Sequence, residues 1–253
     1  LFAELAKRAQ GNDKSAPAKL ALAAANLAFN SEGNPRDIAP FHNEMSDAVF
    51  MSGPIYAAAG KLTGDGRYHD ASVRHIESMR ELIDRKDGLC RHSPLCEAAW
   101  GRGNGFVALG LSLVLDDLPA DHPGRARLEA MALRHLRALV KHQDPTGAWH
   151  QVVDEPGSYR ELSATCMITF AMLRGVRRGR LSKAEFGPVI QRAWPAILAR
   201  VGPNGHLVDI CTGTGKQKTL RDYFNRPAVF GPDARGGGMA LLVAVEKARA
   251  ESK

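Results

Sequence analysis

A glycine turn recurs along this chain at a spacing that leaves room for little except paired helices. "KDGLCRHS" from residue 86, "PTGAWHQV" from 145 and "PNGHLVDI" from 203 each set a glycine before a short extended run, at Gly88, Gly147 and Gly205, 59 and 58 residues apart. One such period holds two helices and their connections, so the unit reads as a helical hairpin with a turn between units. The segments between turns, such as "RYHDASVRHIESMRELI" and "GRARLEAMALRHLRALVKHQ", carry apolar residues at helical spacing and are rich in good helix formers. With the opening "LFAELAKRAQ" and the closing "GGGMALLVAVEKARAES", the helical template matches about nine times. Strand signals amount to fragments such as "HLVDI". The expected class is all-α. Stacked hairpins give a solenoid or a closed toroid. Loops recurring at one place in every unit favour a toroid with its loops on one face, around a cavity where a ligand would sit.

Composition excludes several function classes. The 253 residues, 44% hydrophobic and 24% charged, suffice for one or two globular domains. No apolar run reaches the length of a membrane span and the opening residues lack a signal-peptide pattern, so no membrane partner is expected. Cysteines 90, 96, 166 and 211 form no CxxC pair, which argues against zinc and leaves disulfides undecided. Cytoplasm is the default compartment, with secretion or a periplasmic location open if a leader precedes the chain. A formal charge of +7 suggests an acidic partner. The basic residues are scattered, though, and aromatics make up only 6%, so no nucleic-acid stripe is present. The one basic run, "RGVRRGR" at 174–180, reads as a solvated helix C-terminus, where cations are favoured.

"WGRGNGF", Trp100 to Phe106, packs three glycines, an arginine and two aromatics into seven positions. A phosphate cradle needs a strand before it and a helix after it. A helix does follow, but "RHSPLCEAA" before it is no strand, so a nucleotide site is disfavoured. Two readings remain: a loop-to-helix junction whose glycines permit tight packing, or the floor of a site for another ligand.

The ordered series "SDAVFMSGPIYAAAGKLTGDGRYHDAS", "DGLCRHS", "WGRGNGF", "YRELSATCM", "CTGTG" and "DYFNRP…GGGMALLVAVE" resembles the unsaturated rhamnogalacturonyl hydrolases of glycoside hydrolase family 105. It is similar, less closely, to the unsaturated glucuronyl hydrolases of family 88. The resemblance covers residues 41 to 249, roughly four fifths of the chain. It implies an (α/α)6 barrel, here a single catalytic domain over 1–253. The family has twelve helices, so the first hairpins are expected to be missing. It also implies hydrolysis of acidic oligosaccharides that end in a 4,5-unsaturated uronic acid, as left by pectin and related lyases. One carboxyl group protonates C4 and water adds at C5, with no metal or organic cofactor. This departs from the two-carboxylate glycosidase scheme.

Asp47 in "MSDAVFM" matches the family's catalytic aspartate. Read from the residues alone, Ser46 and Asp47 are equally a cap and a first-turn charge. By the same resemblance His92 positions the substrate or the attacking water. Trp100 offers the sugar an apolar face, Arg102 grips the uronate with a bidentate fork, and Asn104 and Phe106 complete the floor, with Phe106 standing where the family usually has tryptophan. His42, Asn43 and Glu44 lie just ahead of Asp47. Thr214 and Lys216 belong to a glycine-containing loop, "CTGTGKQ", that closes over the sugar or is a plain turn. Glu161 reads equally well as a first-turn charge, and Tyr223 as a staple under the last hairpin. An ordinary inverting glycosidase or sugar isomerase on the same toroid would require a second carboxylate, for example Glu97, Asp154 or Asp209. A non-catalytic sugar-binding protein would require neither.

Overall fold

In a computed structural model, which describes residues 2–8, 15–41 and 44–252, the glycine turns lie where the repeat puts them. Gly88, Gly147 and Gly205 have φ of 91°, 96° and 76°, the left-handed region that favours glycine. Each turn closes on the same pair of backbone bonds, for example Gly147 N to Asp144 O at 2.8 Å and Asp144 N to Ala148 O at 2.9 Å. A Cβ on Gly147 would also strike the Arg192 carbonyl oxygen. The structure adds a fourth copy at Gly33 (φ 81°), with Gly33 N to Asn30 O and Asn30 N to Asn34 O. Its extended run contains Pro35 and no apolar stretch, which hides it in the sequence.

Eleven α-helices lie among the described residues. They are α1 (Phe2–Arg8), α2 (Ser15–Ala25), α3 (Asp47–Met51), α4 (Gly53–Thr63), α5 (Gly66–Ile83), α6 (Gly101–Asp117), α7 (Arg125–Val140), α8 (Leu162–Arg177), α9 (Lys183–Leu198), α10 (Leu220–Phe224) and α11 (Ala234–Glu251). A short antiparallel pair, β1 (Leu207–Cys211) and β2 (Ala228–Gly231), flanks α10. The nine expected helices are all present. "DAVFMSGPIYAAAGKL" is split because Pro54 has no N–H to bond back to Phe50, and the chain leaves helical geometry at Ser52 (φ −120°, ψ −50°). Helix α10 is the other addition.

Burial separates two layers. Every residue of α8 from Leu162 to Gly175 is buried, and α6 is buried from Gly101 to Ser112. Such helices are apolar on all sides because they have neighbours on all sides. They pack on each other, with α4 beyond α6 and α11 beyond α8. The outer helices α5, α7 and α9 are amphipathic and cover α4, α6 and α8. Buried Leu109, Phe170, Phe186 and Trp149 belong to the shared core, each contributing about 1.5–3 kcal/mol or more. No helix among the described residues is long and apolar enough to cross a membrane.

The arginine run at the end of α8 is not the solvated terminus its composition suggests. Arg174 and Arg180 both pair with Asp116 at the end of α6, while Arg174 and Arg177 hold the buried Glu246 of α11 at 2.7 and 2.6 Å. Only Arg178 is largely exposed. The run ties three inner helices together at one end.

Candidate active site

At the opposite end of the inner helices, Asp47 is the first residue of α3. Ser46 does not cap that helix with its side chain, so the capping explanation for the Ser46–Asp47 pair fails. Asp47 is 8% exposed, and its Oδ2 lies 2.9 Å from His92 Nε2. Oδ1 has no hydrogen-bond partner among the described residues. His92 is fully buried, sits 4.5 Å ring to ring from Trp100, and contacts the Tyr223 hydroxyl through Nδ1 at 2.9 Å. The Gly88 turn starts the strand-like run that brings His92 here, and Ser46 N closes on the His92 carbonyl at 2.9 Å.

Of the two readings of "WGRGNGF", its glycines follow the tight-packing one. Gly101, Gly103 and Gly105 form the first turns of α6. A Cβ at Gly103 would lie 2.5 Å from Ser46 Oγ, one at Gly105 would lie 2.7 Å from Met167 Cε, and one at Gly101 would strike the His150 carbonyl oxygen. These positions let α6 approach α3 and α8 closely. Trp100 is 1% exposed, so it presents no bare face; it supports the His92 ring. Asn104 is also withdrawn from any ligand. Its Nδ2 donates to the Cys90 and Trp100 carbonyls at 2.8 and 2.9 Å, and its Oδ1 accepts from Cys90 N–H at 2.9 Å, which fixes the His92 loop to α6. Phe106 stacks on Phe50 at 5.4 Å within the core.

Arg102 is likewise not free to form a bidentate fork. Its Nε donates to Ser163 Oγ at 2.8 Å, and its Nη2 donates to the Cys211 carbonyl at 2.5 Å and to Glu161 Oε1 at 3.4 Å. Only Nη1 has no partner among the described residues. Glu161 is fully buried and caps α8 by accepting from Ala164 N–H at 2.5 Å; it also accepts from Ser163 Oγ and from Cys211 N–H at 3.0 Å. Its reading as a first-turn charge was too modest: it anchors α8, Arg102 and β1 together. Burial is the main cause that raises the pKa of the neighbouring Tyr159, with Cys211 and Glu161 adding to it.

The loop after β1 borders the same centre. Lys216 Nζ pairs with Glu44 Oε2 at 2.5 Å, three residues before Asp47, and Gln217 N–H donates to the Tyr223 hydroxyl at 3.0 Å. Thr214 Oγ1 accepts from Gln217 Nε2 at 2.7 Å and donates to the Gly215 carbonyl, so its hydroxyl shapes the loop. Arg226 Nε holds the Gly213 carbonyl at 2.7 Å. His42 and Asn43 lie outside the described residues. The carboxylates considered as second catalysts are each held by an arginine: Glu97 by Arg91, Asp154 by Arg85 and Asp209 by Arg200. Sequence reasoning missed the contact of Tyr223 with His92, and no local signal announces a partner 131 residues away.

A sequence model of glycosyl hydrolase family 88 matches residues 38–251. An unsaturated 3S-rhamnoglycuronyl hydrolase of Alteromonas sp. (strain LOR) is 28% identical over 174 residues, 64% of this chain and 42% of that protein. The unsaturated rhamnogalacturonyl hydrolase YesR of Bacillus subtilis is 27% identical over 190 residues, 72% of this chain and 53% of YesR. The chain thus spans about half the length of these curated relatives. A crystal structure of a possible member of the GH105 family from Salmonella enterica serovar Paratyphi A superposes with a TM-score of 0.83 at 27% identity. It covers 98% of this chain and 70% of that one. The helical-hairpin architecture is therefore that of the family 88 and 105 barrels, and the chain belongs to glycosyl hydrolase family 88.

Proposed function

We propose that the chain acts on oligosaccharides ending in a 4,5-unsaturated uronic acid and releases that sugar by hydrating its C4=C5 enol ether. The observation that carries this reading is Asp47 at the open end of the inner helices, with one oxygen on His92 and the other without a hydrogen-bond partner among the described residues. The other acidic groups considered are ion-paired, which favours a scheme with one catalytic carboxyl group over one with two. The names of the relatives supply the substrate class, an unsaturated uronyl sugar in a rhamnose-containing oligosaccharide.

In the reaction, protonated Asp47 gives its proton to C4 from Oδ1, and the developing positive charge rests on C5 and the ring oxygen. Water adds its oxygen to C5 and returns a proton to the Asp47 carboxylate, so the carboxyl group ends as it began. The C5 hemiketal opens to a ketone, and the hemiacetal left at C1 expels the neighbouring sugar. The substrate carboxylate meets the positively charged chain, with Arg102 Nη1 and Lys216 at the border of the site as donors.

Asp47→Asn tests this, because an amide of the same shape can neither give nor take the proton. Loss of the enoate absorbance of lyase-generated oligosaccharides should slow at least about a hundredfold while substrate binding is kept. Activity near wild type would move the acid elsewhere. In heavy-oxygen water the label should enter the C5 carbonyl of the product. Label at C1, or cleavage of the saturated disaccharide, would instead indicate ordinary hydrolysis.

A further inference from the structure

Tyr223 has no direct part in the chemistry above, yet it contacts the histidine that holds Asp47. The residue is completely buried, and three polar groups surround its oxygen: Gln217 N–H at 3.0 Å, His92 Nδ1 at 2.9 Å and the Ser93 hydroxyl. An amide N–H can only donate, so Gln217 occupies a lone pair of the phenol. Ser93 Oγ forms no hydrogen bond with any described residue. It lies beside the phenol without meeting hydrogen-bond geometry, so the acceptor best placed for the phenol proton is Nδ1 of His92, 2.9 Å away. A neutral imidazole that accepts at Nδ1 carries its own proton at Nε2. Nε2 lies 2.9 Å from Asp47 Oδ2. From Gln217 through Tyr223 and His92, every donor points toward Asp47.

This direction bears on the acid step. With Oδ2 already accepting from Nε2–H, the proton of a protonated Asp47 resides on Oδ1, the oxygen without a partner among the described residues. In the other tautomer Nε2 would be an acceptor and would draw that proton to Oδ2, away from the sugar. We infer that Tyr223 is a positioning residue: through His92 it selects which oxygen of Asp47 carries the acidic proton. The loop after β1 takes part, since its Gln217 amide fixes the direction of the Tyr223 hydroxyl, and Lys216 fastens the same loop to Glu44. The inference rests on the hydration reading of Asp47, but its first test does not require any sugar.

That test is the ¹⁵N spectrum of histidine-labelled protein at neutral pH, with the His92 signals assigned by their loss in His92→Gln. The wild-type protein should show Nδ1 unprotonated and Nε2 protonated. In Tyr223→Phe the bias is removed, so both signals should move toward the values of exchanging tautomers. On an unsaturated disaccharide kcat should fall at least about tenfold while KM stays within about twofold. A wild-type spectrum with the proton on Nδ1 overturns the inference without any variant. An unchanged spectrum in Tyr223→Phe, or a rise in KM at constant kcat, overturns it as well. The expected spectra in a protein inert toward every unsaturated sugar would support the positioning role and reject the proposed function instead.

Discussion

Lowering the pH from 7 to 4.5 should destabilise the protein through His135, a residue of α7 outside the reacting groups. Its ring is fully buried, with Nδ1 3.0 Å from the Gly88 carbonyl oxygen and Nε2 3.1 Å from that of Asn104. A neutral imidazole has one N–H and donates to only one of these carbonyls at a time. The charged ring would serve both, but burial opposes the charge most strongly and the Arg80 guanidinium adds repulsion. Together they hold the pKa down to about 4, against 6.5 in the unfolded chain. Because the folded value is the lower one, the unfolded state takes up the proton first as pH falls. The contribution of His135 to stability is therefore level above pH 6.5, declines between 6.5 and about 4, and is level again below. A gap of about 2.5 units, at 1.36 kcal/mol each, makes the full loss about 3 kcal/mol.

Burial also lowers the pKa of His69 and His75, so the wild-type slope contains their contributions too. His135→Gln isolates one of them, since glutamine still donates to a carbonyl and does not titrate in this range. Urea unfolding between pH 7 and 4.5 should give a slope smaller than wild type by up to one proton, about 1.4 kcal/mol per pH unit. A variant that is weaker at every pH but keeps the wild-type slope would refute the reasoning.

Two further expectations concern the architecture of the site. Glu161→Ala leaves Arg102 buried without its carboxylate and removes the cap of α8, so urea unfolding should show a loss of about 3–5 kcal/mol; less than about 1 kcal/mol would disprove the anchoring role. Gly103→Ala sets a methyl 2.5 Å from Ser46 Oγ and 3.2 Å from Trp100 Cε3, an overpacking of about 1–3 kcal/mol. Because Ser46 adjoins Asp47, turnover should drop more than thermal stability, and unimpaired turnover would contradict the close packing.

What the sequence discloses and what it conceals divide along contact distance. The Gly88, Gly147 and Gly205 turns are legible because a left-handed turn imposes its residue locally, whereas Gly33 has the same backbone but lacks the run that marks the others. Asp47 and His92 are conspicuous only through family likeness; by local chemistry Asp47 is one more first-turn acid, and its contact with His92 spans 45 residues. The glycines of "WGRGNGF" look alike whether a sugar or a helix lies against them, and Ser46, Met167 and His150, which settle the matter, are distant in sequence. Arg102 reads as a ligand for carboxylate and does bind one, but that carboxylate is Glu161 of the same chain, 59 residues on. The arginine run looks solvated for the same reason: its acids, Asp116 and Glu246, belong to other helices.

The polarity of the inner helices explains why charge is arranged so differently at their two ends. Arg102 meets Ser163 where α6 and α8 begin, and Asp116 meets Arg174 where they finish, so the two run parallel. Helix α11 follows the same direction, with Arg235 on the Thr212 carbonyl at its start and Glu246 on Arg177 toward its end. Parallel helices add their dipoles, which makes one end of the layer positive and the other negative. At the negative end Asp116 is unfavourably placed by both burial and the dipole, yet Arg180 and Arg174 bring its pKa below the usual value; its charge is tolerated because arginines compensate it. At the positive end Arg102 is already matched by Glu161, so the helix ends and Arg102 Nη1 keep an excess of positive character facing the loops. At the opposite end Arg174, Arg177 and Arg180 are all engaged by Asp116 or Glu246. The positive end of the inner layer is thus the end at which Asp47 stands, which suits the anionic substrate proposed above.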